Sequence, residues 1–103
     1  MEEKRRHQRK PVSIAATHET VGIGTACEGV IRDISMGGVF IESSDVPTFG
    51  AELSIRVRLP SQSSEVTLPG IVRWVKRDGF GVQFGLLGAR ETHAIVEFLR
   101  RPA

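Results

Sequence analysis

Within "RDISMGGVFIES", Asp33 and Ser35 stand two residues apart. On a strand that spacing sends both side chains to one face and Ile34 to the other. One is an acceptor-only carboxylate, the other a hydroxyl that both donates and accepts. Gly37 and Gly38 follow Met36, and two glycines allow a sharp reversal with positive φ that brings backbone amides up to the same face. A plain capped turn between two strands would use the same residue types, because Asp and Ser readily bond their own backbone. A second stretch, "EKRRHQRKPV" at positions 3 to 12, holds Lys4, Arg5, Arg6, Arg9 and Lys10. Three roles fit it: a solvated tail, an arm for nucleic acid, or the cationic half of a small-ligand clamp.

The distribution of charge separates these roles better than the net +2 does. Residues 1 to 10 carry five basic against two acidic side chains, and the rest of the chain nine against ten. A grip on duplex DNA or RNA spreads cations over one face of the body, since affinity grows with each phosphate neutralised. Here the surplus sits in the arm alone, and with little apolar content that arm is expected to be mobile without a ligand.

Other chemistries lack their residues. "GIGTAC" and "GFGVQF" put Cys27 and Phe84 where a dinucleotide loop needs its third glycine, so both read as barrel turns or bulges. No CxxC, HExxH or carboxylate cluster points to a metal. Cys27 stands alone, His7, His18 and His93 are scattered, and no acid, base and nucleophile set is visible, so an enzyme is not expected. With 103 residues, 40% of them hydrophobic, one domain with one core is expected. No apolar run reaches the roughly 20 residues of a membrane span. A charged N-terminus without an apolar stretch and a single cysteine point to the cytoplasm.

Short strands must position these groups. In "AELSIRVRL", Ala51, Leu53, Ile55, Val57 and Leu59 alternate with polar residues, the period of a strand with one buried face. "EVTLPGIVRWVKR" sets Val66, Leu68, Val72 and Trp74 on one parity, with Pro69 and Gly70 marking an edge or bulge. A tight turn at Asp78 and Gly79 leads to Phe80, Val82 and Phe84, again on one parity. Val12 to Ala16, Cys27 to Ile34 and Val39 to Glu42 complete six strands, and a small barrel closes them most economically. In "GARETHAIVEFLRR", Ala94, Ile95, Phe98 and Leu99 follow helical spacing, Glu97 and Arg101 form an i to i+4 pair, and Pro102 ends the helix.

Taken together, Arg5-Arg6-His7-Gln8-Arg9 and Asp33-Ile34-Ser35-Met36-Gly37-Gly38 resemble the RxxxR and [DN]xSxxG signatures of the PilZ domain family. "GIVRWV" and "GFGVQF" extend the likeness over nearly the whole chain. The resemblance implies an all-β fold with a C-terminal helix, a six-stranded antiparallel PilZ-type barrel over residues 11 to 103 behind a flexible basic arm of residues 1 to 10. It further implies a receptor for the bacterial second messenger cyclic di-GMP, held by Arg5, Arg9, Asp33, Ser35 and Gly38, with Arg6 and Gly37 as secondary candidates. The chemistry agrees: an arginine fork bonds phosphate or the O6 and N7 edge of guanine and its plane stacks on a base, while a carboxylate accepts from guanine N–H groups.

On that reading there is no catalysis, no metal and no cofactor beyond the ligand. The output would be a surface offered to an unidentified effector protein, without membrane insertion and without nucleic acid. Two alternatives stand beside it: a PilZ-like adaptor that binds no nucleotide, and a small basic barrel for single-stranded nucleic acid. The second needs exposed aromatic platforms, whereas the parity places most Phe residues inward.

Overall fold

The computed structural model describes residues 9–60 and 62–101. Six strands, β1 (Lys10–Thr20), β2 (Ala26–Ile34), β3 (Gly38–Glu42), β4 (Glu52–Val57), β5 (Val66–Lys76) and β6 (Gly79–Phe84), precede one helix, α1 (Ala89–Arg100). The strands close into a barrel in the order β1-β2-β3-β6-β5-β4, every pair antiparallel. Closure leaves no free strand edge, which disposes of the edge position considered for Pro69. Pro69 instead lies just before Gly70, the first β5 residue paired with β6, and its carbonyl accepts from Gly85 N–H at 2.8 Å. In a strand the nitrogen and carbonyl of one residue point the same way, so the missing proline donor falls where β6 has already ended.

The alternation in β4 survives intact: Leu53, Ile55 and Val57 are buried, and Leu59 joins them past the strand end. They pack with Ile31, Ile34, Ile41, Leu68, Val72 and Phe80 in a single core that α1 enters with Ala94, Ile95 and Phe98. β1 is longer than its apolar run, because Lys10 and Pro11 pair with β2, Ala16 to Glu19 pair with both β2 and β4, and Thr20 pairs with β4. At the far end of α1, Arg101 leaves the helix with φ −73° and ψ 142°, the extended backbone imposed on a residue before proline. The expected Glu97–Arg101 pair therefore gives way to a Glu97–Arg100 contact at 3.8 Å.

Two bulges decide which residues face outward. In β2 the register against β3 shifts between Ile31 and Asp33, so Ile31 and Ile34, three apart, both point inward and Asp33 faces out. In β5 the register against β6 shifts between Val72 and Trp74. Val72 is fully buried but Trp74 is 52% exposed, correcting the inward parity expected for it. One extra residue in a strand inverts the facing of all that follow.

Among the described residues one histidine, His18, is buried, and its Nε2 is hydrogen-bonded to Ser43. Ser43 Oγ donates to Glu28 O at 2.8 Å and accepts from Asp45 N–H at 3.1 Å. A hydroxyl has one donor and two lone pairs, so His18 Nε2, 3.1 Å away, must be the second donor. Nε2 thus carries a proton, and with burial disfavouring a second one the ring is the neutral Nε2–H tautomer, packed edge-on against Phe80 at 4.9 Å. Burial lowers the His18 pKa from 6.5, partly offset by the negative charge of Asp45.

Candidate functional site

Four strands contribute one residue each to a line across the outside of the barrel. Asp33 of β2 pairs with Phe40 of β3, Phe40 with Gly81 of β6, and Gly81 with Trp74 of β5. Pro11 of β1 stands opposite Asp33, and Arg9, two residues earlier, follows the same face. The facings of Asp33 and Trp74 depend on the bulges: without the β2 shift Asp33 would enter the core, and without the β5 shift Trp74 would.

Glycine supplies the floor. A Cβ on Gly81 would overlap the Trp74 ring, and one on Gly79 would sit 2.7 Å from Phe40 Cζ. The two glycines of "GFG" therefore act as flat seats over which aromatic side chains from the neighbouring strands lie, a cross-strand aromatic–glycine arrangement. They are not phosphate-loop glycines.

Cations stand above both rings. The Arg9 guanidinium carbon is 5.1 Å from the Trp74 centroid, and Lys76 Nζ is 5.4 Å from that of Phe40. Arg9 Nη1 also donates to Asp33 Oδ1 at 2.5 Å, with the two side chains 24% and 29% exposed. Arg9, Asp33, Phe40, Trp74 and Lys76 line an open cleft of about 430 Å³. This half-exposed ion pair adds little stability, about 0–1 kcal/mol, since solvent screens it. Its interest is chemical: each partner can be exchanged for a ligand group of the same polarity.

Ser35 does something else. It is 5% exposed, and its Oγ accepts from Gly37 N–H at 3.1 Å and Gly38 N–H at 3.3 Å. Its own N–H donates to Gly38 O at 2.9 Å. The shared Asp33–Ser35 ledge is therefore revised: β2 ends at Ile34, the chain turns, and Ser35 rolls inward as the cap of its own turn. The expected positive φ at Gly37 and Gly38 is corrected as well, since the left-handed glycines are Gly22, Gly24 and Gly50. Gly38 is required by closeness, because a Cβ there would collide with Val82 O of β6. Phe84 N–H donates to Gly37 O at 2.8 Å, stitching the turn to the end of β6.

Of the basic arm, Arg9 and Lys10 are described; Arg5, Arg6 and the mobility expected of residues 1 to 8 lie outside the described residues. Lys10 points away from the cleft. Its Nζ donates to Phe98 O at 3.2 Å and Arg101 O at 2.8 Å and stands 4.6 Å from the Phe98 centroid, fastening the C-terminus of α1 to the start of β1. Phe40, Trp74 and Lys76 escaped the sequence reading. The available signal was the outward Gly79 and Gly81, whose bare surface calls for an aromatic neighbour.

These features coincide with a known family. The PilZ domain family model matches residues 3–101, and the chain belongs to that family. No curated protein matches it. Among solved structures it is similar to the PilZ domain of CeSA from a cellulose-synthesizing bacterium, with TM-score 0.73, 18% identity, and 87% of this chain and 92% of that chain covered. The c-di-GMP-bound PilZ domain of YcgR from Escherichia coli gives TM-score 0.72 at 12% identity, covering 95% and 93%. The K. pneumonia MrkH–c-di-GMP complex gives 0.72 at 17%, covering 94% of this chain but 50% of that one. The chain thus spans about half the length of MrkH. The fold is the six-stranded antiparallel barrel with one C-terminal helix seen in PilZ domains.

Proposed function

We propose that this chain is a receptor for cyclic di-GMP, that the cleft of Arg9, Asp33 and Trp74 is where the ligand sits, and that the liganded form acts by offering an altered surface to a partner protein. The observation that carries the reading is the convergence of a guanidinium, a carboxylate and a half-exposed indole in one outward cleft. In the free chain Arg9 and Asp33 neutralise one another. A guanine edge gives Asp33 the N–H donors it needs and releases Arg9, whose fork then takes phosphate or the O6 and N7 edge. The indole offers a stacking plane. Partners are exchanged and no charge is left uncompensated.

Arg5 and Arg6 add cationic contacts to the phosphates of the ligand. Ser35, Gly37 and Gly38 act through shape: the Ser35 cap and the tight approach of Gly38 to β6 hold the turn that follows Asp33. Trp74 is the one tryptophan in a chain without tyrosine, so its emission reports on the cleft directly. Titration with cyclic di-GMP is expected to change that emission saturably. An unchanged emission, together with no heat in calorimetry at micromolar protein and excess ligand in moderate salt, ends the reading.

Two outward aromatics with cations above them also favour a second reading, capture of single-stranded nucleic acid. A gel shift with arbitrary RNA discriminates: retention that survives Asp33→Asn supports this second reading, since no guanine edge is then being read.

A further inference from the structure

We propose that Phe40 and Lys76 form a second base-and-phosphate station, beside that of Trp74 and Arg9, which makes the cleft select a ligand with two bases over a mononucleotide. The inference rests on the receptor reading above and deepens it. The two stations are built alike: an aromatic ring lies on an outward glycine of β6, and a cation from a strand or strand end stands above it. Gly79 and Gly81 are two residues apart on one strand face, so the two seats are separated by roughly 6–7 Å along β6. A single base on Trp74 leaves the Phe40 ring uncovered, whereas a second base tethered through a phosphate can cover it.

The cations are unequal, and the difference is chemical. Arg9 is a planar fork already engaged by Asp33. Lys76 is exposed, and among the described residues no carboxylate lies within ion-pairing distance of its ammonium. A lysine is a compact point charge suited to a phosphate rather than to a base edge. Thus the first station reads a guanine edge through Asp33 and Arg9, and the second supplies a stacking plane and a phosphate charge without edge discrimination. The cleft is strict about one base and tolerant about the other.

The test titrates the wild type, Phe40→Ala, Phe40→Leu and Lys76→Gln with cyclic di-GMP and with 5′-GMP, following Trp74 emission. Phe40→Leu retains apolar bulk over Gly79 while removing the π face, which guards against a folding defect in the alanine variant. Each Phe40 variant is expected to weaken cyclic di-GMP by roughly tenfold. Lys76→Gln is expected to weaken it by roughly three- to tenfold and to flatten its salt dependence. Any GMP response should stay within about twofold of wild type. Wild-type affinity for cyclic di-GMP in all three variants overturns the second station and leaves the receptor reading standing. So does a parallel loss for both ligands, because Phe40 would then be acting through the Trp74 station. Failure of the wild type to bind cyclic di-GMP overturns both.

Discussion

Arg9 and Lys10 are consecutive cations, each above an aromatic ring, Arg9 at 5.1 Å from Trp74 and Lys10 at 4.6 Å from Phe98. Trp74 is 52% exposed and Phe98 6%. Arg9 is held by one carboxylate at an open cleft, whereas Lys10 is held by two carbonyls at a helix end. Neighbours of like charge therefore divide the work: Lys10 completes the fold, and Arg9 is left with partners a ligand can replace. Charge density alone marks neither role. Volume is no better guide, since the hollow of about 1130 Å³ over the outside of β4, β1, β2 and β3 is larger than the aromatic cleft yet contains no aromatic side chain.

Substitution should pull the two cations apart. Arg9→Ala is expected to weaken cyclic di-GMP by roughly ten- to a hundredfold, the loss of a charge-assisted contact of about 1.5–3 kcal/mol, with little change in melting temperature. Calorimetry and a thermal melt on one sample check both halves. Gly81→Ala attacks the same cleft from below: the atoms nearest the new methyl all belong to the Trp74 ring, which must shift to make room for it. A roughly tenfold loss of affinity with a red-shifted emission is expected.

Lys10→Met should do the reverse, leaving affinity within about threefold while removing about 1 kcal/mol of helix-end stabilisation, a fall of roughly 4–8 °C in Tm. If Lys10→Met cost as much affinity as Arg9→Ala, the division of labour would be wrong. The smallest effect belongs to the core. His18 is held neutral, so below pH 6.5 the unfolded chain takes up a proton that the folded chain refuses. Stability is therefore full above that pH and declines as pH falls from it through the lowered folded value. Urea unfolding at pH 7.5 and 5.5 measures the decline, and His18→Gln should remove it.

The strands and helix were legible where periodicity is local. Leu53, Ile55 and Val57 alternate without interruption, and Ala94, Ile95 and Phe98 mark one helix face, so their burial follows from spacing alone. Asp33 and Arg9 were legible as a pair because the residue types and their order mark a family. Trp74 was not, since a strand's parity cannot show where an extra residue is accommodated, and the β5 bulge exists only in relation to β6. Ser35 was misjudged in facing for a related reason: β2 stops one residue before it, at the point where the turn is stitched to Phe84 of another strand.

What the amino-acid order determined by itself is therefore the set of parts: six strands, a terminal helix, a basic arm, a carboxylate before a glycine turn, and alternating glycines in "GFG". Each of these depends on interactions within a few residues, which composition and spacing encode directly. Only the closed barrel decided that Asp33, Phe40, Gly81 and Trp74 form one outward line. That alignment depends on register between strands distant in sequence, and register is set when the whole core packs.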